Sequence, residues 1–129
     1  MSHLPASPLR PVLRVDFPGE RLGRGKIALL EAIRETGSIS AAGRALGMSY
    51  RRAWQLATAL NTMFGQEAIA SQRGGKQGGG AALTPFGEEL IRRFRSMENK
   101  AATALQEDLD WLDAARRPQE PAKDQEPQS

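Results

Sequence analysis

A chain of 129 residues with 18 Lys/Arg, 15 Asp/Glu, one histidine and no cysteine is large enough for one folded unit with tails and too short for two ordinary domains. The missing cysteine excludes a disulfide framework and a thiolate metal site, and no apolar run is long enough to cross a bilayer or to form the core of a secretion signal. Residues 1–100 hold 15 Lys/Arg against 8 Asp/Glu, a balance of +7, whereas residues 101–129 hold 3 against 7, a balance of −4. A soluble cytoplasmic protein with a basic body and an acidic tail is expected, and the body suits a polyanion such as nucleic acid; a mixed surface that leans positive has the same balance.

Residues 1–10 are Pro-rich and expected to be disordered. In "PVLRVDFPG" Leu13, Val15 and Phe17 alternate with Arg14 and Asp16, the period of a half-buried strand, which Pro18-Gly19 ends. Ile27, Leu30 and Ile33 then recur at helical spacing between Gly25 and Thr36, with Leu29 beside them and Gly37 placed as a C-terminal cap. Ser38 caps a second helix of about two turns, with Ile39, Ala42 and Leu46 on one side. Gly47 suits the left-handed conformation that ends it, Met48 tucks inward, and Ser49 caps a third helix.

At 100° per residue this third helix buries Ala53, Leu56, Ala57, Leu60, Met63 and Phe64. Arg51, Gln55 and Thr58 point the other way, with Arg52 on one flank and Tyr50 and Trp54 on the other. "EAIASQRGGKQGGGAAL" reads as two short strands joined by a glycine-rich loop bearing Arg73 and Lys76. Thr84 and Pro85 open a last helix, expected over 84–113 and about 45 Å long. Along it Leu90, Phe94, Met97, Ala101, Leu105, Leu109 and Leu112 form an apolar stripe close to a heptad seam, which suits a partner helix. Residues 114–129 are polar and Pro-rich and expected to be disordered.

No convergent set of nucleophile, base and stabiliser is present, and the single histidine, His3, lies in the N-terminal tail, so no enzyme, metal site or cofactor is expected. In "RGGKQGGG" Gln77 stands where a phosphate-binding loop needs Ser or Thr after the lysine. The loop is either a hairpin tip whose glycines avoid strain or a close approach to a DNA backbone, with Arg73 and Lys76 at phosphates or the minor groove.

Small residues Ala41, Ala42, Gly43 and Ala45 keep the second helix thin, so that the third can cross it closely and project its first turn. That turn carries Ser49, Tyr50, Arg51, Arg52 and Gln55, residue types that read base edges and hold phosphates in a major groove; Ser38 is counted with them. Trp54 is assigned to packing against the first helix or the hairpin rather than to DNA. The order of strand, helix, tight helix-turn-helix, glycine-tipped hairpin and long helix is that of a winged helix-turn-helix, a mainly α fold with a small β-hairpin. It divides into a winged domain at 11–83 and a dimerisation helix at 84–113.

"TGSISAAGRALGMSYRRAW" and "SQRGGKQGGGAALTPFGEELIRRF" also resemble the N-terminal DNA-binding domain of the ModE family of molybdate-responsive transcription regulators, and more distantly the LysR-type regulators. The resemblance covers about Pro11 to Leu112 and leaves out the family's C-terminal molybdate-binding domains. It implies a homodimer joined through the first strand region and the long helix, with Ser49, Tyr50, Arg51, Arg52 and Gln55 reading DNA and Arg73 and Lys76 in the wing. Twofold pairing spaces the reading helices about 34 Å apart and calls for an inverted-repeat operator. The alternative is a dimerisation or adaptor module that pairs with a larger regulator and does not itself read DNA.

Overall fold

A computed structural model of the chain describes residues 8–72 and 80–116. They fall into two compact units, of which the larger spans Leu13–Ser96. Its first strand, β1 (Arg14–Phe17), follows the expected alternation. Pro18-Gly19, expected only to end that strand, instead turns the chain into an antiparallel partner, β2 (Glu20–Gly23), with Val15 opposite Leu22. Proline presets the φ of the turn's second position and Gly19, at φ 84°, supplies the positive φ of the third, as a type II turn requires.

Helices α1 (Arg24–Thr36), α2 (Ile39–Ala45) and α3 (Tyr50–Met63) follow. Gly37 ends α1 at φ 78°, and its N–H donates to the Ile33 carbonyl at 2.8 Å. The Ser38 hydroxyl oxygen accepts from the Ala41 N–H at 2.8 Å and the Ser49 oxygen from the Arg52 N–H at 3.0 Å, so both serines cap as their sequence context predicts. Gly47 sits at φ 73°, and the Met48 N–H turns back to the Gly43 carbonyl at 2.9 Å. The tight crossing of α2 and α3 has a definite point: a Cβ on Gly43 would lie 2.7 Å from the Ala53 Cβ.

Ile27, Leu29, Leu30 and Ile33 of α1 and Leu60 of α3 are fully buried, at about 1.5–3 kcal/mol each from burial alone. Met48, Met63 and Phe64 pack half-buried against them. A second antiparallel hairpin, β3 (Ile69–Gln72) and β4 (Gly80–Leu83), pairs Ile69 with Leu83 and Gln72 with Gly80. The Ala81 N–H donates to the Gly37 carbonyl at 2.9 Å, which ties the hairpin to the turn between α1 and α2.

Helix α4 (Pro85–Ala104) opens on Thr84, whose hydroxyl accepts from the Gly87 N–H at 3.0 Å and donates to the Glu67 carbonyl at 2.7 Å. Any side chain at Gly87 would collide with the Ala68 carbonyl, so glycine lets this helix start against the backbone before β3. Ile91 and Phe94 are buried in the same core as α1, and the compact body accordingly extends to Ser96 instead of stopping at residue 83.

The other unit contains residues 8–12 and 97–116 of those described. The single rod expected over 84–113 is divided: α4 stops at Ala104 and α5 runs over Gln106–Ala115. Leu105 between them has φ −98° and ψ 4°, away from the helical ψ of about −42°, although its N–H still reaches the Ala101 carbonyl at 3.0 Å. The expected seam residues also divide. Phe94 is 1 % exposed and committed to the core, which takes it away from a partner helix, and Leu90 packs against that core. Leu109 is buried, Ala101 half-buried, and Met97, Leu105 and Leu112 are exposed, as is Trp111 at 69 %.

Candidate nucleic-acid interface

The outer arc of α3 is built from its inner one. Ala53, Leu56, Ala57 and Leu60 are buried against the body, which leaves Tyr50, Arg51, Arg52, Trp54, Gln55 and Thr58 in solvent. Angular order along the helix puts Tyr50 and Trp54 at one edge, Thr58, Arg51 and Gln55 in the middle, and Arg52 at the other edge. Neighbouring elements confirm both edges. Trp54 shares a cleft of about 100 Å³ with Ile39, Ala57, Ile69 and Ala81 at the root of the β3–β4 hairpin, while Arg52 and Gln55 share a groove of about 370 Å³ with Arg21 and Lys26 beside β2.

Asn61, not singled out from the sequence, holds α3 to the hairpin. Its side-chain oxygen accepts from the N–H groups of Ala68 and Ile69, each at 2.9 Å, and its amide donates to the Ile69 carbonyl at 2.8 Å. The polar residue therefore fixes the angle between the exposed helix and the strand that leads to the loop. No local pattern announces this role, because the partners lie seven and eight residues away.

Several of the cations around this face are held in ion pairs. Arg34 pairs with Glu88 at 2.9 Å, Arg95 with Glu31 at 2.6 Å, and both Arg92 and Arg93 with Glu89. The two arginines hold the Glu89 carboxyl below its ordinary value, Arg93 foremost. A hydrogen bond from Arg14 lowers the Asp16 carboxyl, and one from the largely buried Lys26 lowers that of Glu20. By contrast Arg10, Arg21, Arg24, Arg44, Arg51, Arg52 and Lys100 have no carboxylate within 4.0 Å among the described residues, although the charge of Arg21 still helps to lower the Asp16 and Glu20 carboxyls. Of these, Arg51 and Arg52 stand on the exposed face of α3, where they are available to phosphates and base edges.

The structure brings Ser49, Tyr50, Arg51, Arg52 and Gln55 together on one helix turn and a half, with Ser38 half-buried at the start of α2. The oxygens of Ser38 and Ser49 are used in capping, so they shape the site as well as border it. Arg73 and Lys76 lie outside the described residues. Trp54, expected to pack against the first helix or the hairpin, lines the hairpin cleft but is exposed at 43 %, so the burial on which that assignment rests is not found. Arg21 was not anticipated; the folded chain places it in the groove that Arg52 and Gln55 line.

Among the described residues no group of three or more His, Asp or Glu is placed to hold a metal ion, and no helix is long and apolar enough to cross a membrane.

Known proteins bear on this site. A family described as bacterial regulatory helix-turn-helix protein, lysR family, matches residues 25–88, from the start of α1 into α4. The chain is 46 % identical over 87 residues to the molybdenum-pterin-binding protein MopB of Rhodobacter capsulatus, a match covering 67 % of this chain and 32 % of that protein. It is 39 % identical over 92 residues to the transcriptional regulator ModE of Yersinia pestis, covering 69 % and 35 %. To the DNA-binding transcriptional dual regulator ModE of Escherichia coli K12 it is 35 % identical over 86 residues, covering 64 % and 33 %. The chain thus spans about a third of the length of the curated relatives it matches.

Proposed function

Because the chain carries a helix-turn-helix domain of the bacterial lysR regulatory family over residues 25–88, we propose that it is a sequence-specific DNA-binding transcription regulator and not an enzyme. Helix α3 enters the major groove, Arg51 and Gln55 meet base edges, and Arg52 and Tyr50 hold the flanks. Arg73 and Lys76, on the loop between β3 and β4, take the backbone or the minor groove. The regulator works in the cytoplasm as a homodimer on an inverted repeat, and its target genes respond to molybdate, a reading supported by relatives named for molybdenum and for regulation. The observation that carries the proposal is the pair of exposed arginines on α3, Arg51 and Arg52, without carboxylate partners among the described residues.

Fluorescence anisotropy on duplexes selected from a random pool tests it. Arg51→Ala should cost about 1–3 kcal/mol and relax the sequence preference at one position, whereas Arg52→Ala, if on phosphate, should lower the salt slope by about one. Unchanged affinity in both variants refutes the assignment. A second reading, an adaptor that pairs with a larger regulator, is supported by the exposed Met97, Leu105, Trp111 and Leu112. Size measurement alone and with a full-length relative separates the two.

A further inference from the structure

Tyr50 and Trp54 are out of place on a simple hydrogen-bonding surface. They stand four residues apart on α3, 65 % and 43 % exposed, with ring centroids 6.1 Å apart and planes tilted by 59°. With Arg51, Gln55 and Thr58 they line an open, mostly apolar stretch of the helix surface. Trp54 also lines the cleft at the root of the β3–β4 hairpin, so it borders protein there while 43 % of it stays exposed. Large exposed aromatics held in this way mark a surface that meets a partner.

Charge restricts the partner. Arg51 and Arg52, which follow Tyr50 directly, have no carboxylate partner among the described residues, so the face attracts a polyanion. In the major groove of a duplex the base edges present hydrogen-bond donors and acceptors, small C–H groups, and one bulky apolar group, the C5-methyl of thymine. An aromatic edge beside a cationic one therefore has the thymine methyl as its largest apolar target there.

Resting on the DNA-binding reading above, we propose that Tyr50 and Trp54 are specificity residues that read thymine methyl groups, so that α3 recognises its site by two edges: hydrogen bonding through Arg51 and Gln55, and apolar contact through the aromatic pair. Trp54 makes the main contact because the hairpin cleft positions it, and Tyr50 closes the same patch nearer the helix N-terminus.

Deoxyuridine in place of thymine tests this, since it removes the methyl and keeps every hydrogen-bonding group. In a duplex recovered by selection, replacing the thymines of one half-site singly should weaken binding about three- to fivefold at one or two positions, the weight of a buried methyl. Trp54→Ala should bind the thymine and deoxyuridine duplexes equally at those positions, and Trp54→Phe should keep part of the difference. If Trp54→Ala does not fold, Tyr50→Ala serves in the same comparison and should narrow the gap. Tolerance of every deoxyuridine within 1.5-fold by the unmodified protein, with Arg51→Ala still weakening binding, overturns the thymine contact and leaves DNA recognition standing. Failure to enrich any duplex removes both.

Discussion

The polar groups of the supporting side and those of the outer arc of α3 are treated in opposite ways. On the supporting side they are satisfied from within: Asn61 makes three hydrogen bonds, Arg95 meets Glu31, Arg34 meets Glu88, and Lys26 meets Glu20. On the outer arc Arg51 and Arg52 have no such partner among the described residues. Bonded groups fix where α3 stands, and unbonded ones keep their capacity for something outside the chain. Positions held by the first set make the second set effective, because a helix that already has its angle loses little freedom on binding.

Removing Asn61 should break the contrast most severely. Asn61→Ala withdraws three hydrogen bonds between α3 and the start of β3, at about 1 kcal/mol each, so a loss of about 2–3 kcal/mol is expected. Asn61→Asp keeps an acceptor for the two N–H groups and turns a charge toward the Ile69 carbonyl, and it should fall between the two. Thermal unfolding followed by circular dichroism reads the order. An alanine variant as stable as the parent would mean that the hairpin is held by other contacts.

Arg95→Ala sharpens the comparison at a smaller scale. The pair with Glu31 is formed by two bonds, at 2.6 and 3.0 Å, across 64 residues of sequence, with side chains still 40 % and 30 % exposed. At that exposure about 0.5–1 kcal/mol of stability is expected to go. The salt dependence of DNA binding should stay as it was, in contrast to Arg52→Ala, which should leave stability within about 0.5 kcal/mol and change the slope. An equal change of slope in both would erase the distinction between supporting and outer arginines.

These pairings also mark how far the sequence is legible. Caps at Ser38, Ser49 and Thr84, the left-handed glycines 37 and 47, and the buried side of α3 depend on neighbours within four residues, and each stands where local pattern puts it. Strand β2 escapes because it is four residues long with only Leu22 buried, although Pro18-Gly19 is a hairpin signal in its own right. Which arginines are free is invisible in the chain, since Arg34 finds its carboxylate 54 residues away and Arg95 finds one 64 away. Nothing in the residue types from 102 to 107 announces the break at Leu105. Positions of the candidate site were therefore readable as a helix face, while the reasons that face is available come from tertiary contacts.

The smallest expected effect concerns Glu20, the satisfied carboxylate nearest the contrast, since it borders the groove that Arg21 and Arg52 share. Its carboxylate accepts from the Lys26 ammonium at 3.1 Å and from the Arg21 N–H at 3.3 Å, and these bonds hold its carboxyl below the ordinary value of 4.5, the lysine foremost. A carboxyl with a lowered folded-state value adds stability that is fully present above the unfolded value and fades as pH falls through the folded one. Glu20→Gln cannot titrate there, and its Lys26 retains the bond to the Arg21 carbonyl at 2.8 Å. The gap in Tm between parent and variant should therefore be widest near neutral pH and close as the pH falls below 4.5, whatever acid slope Asp16 and Glu89 impose on both proteins. A gap that stays constant down to strongly acid pH would mean that the lysine binds the carboxyl group without regard to its charge.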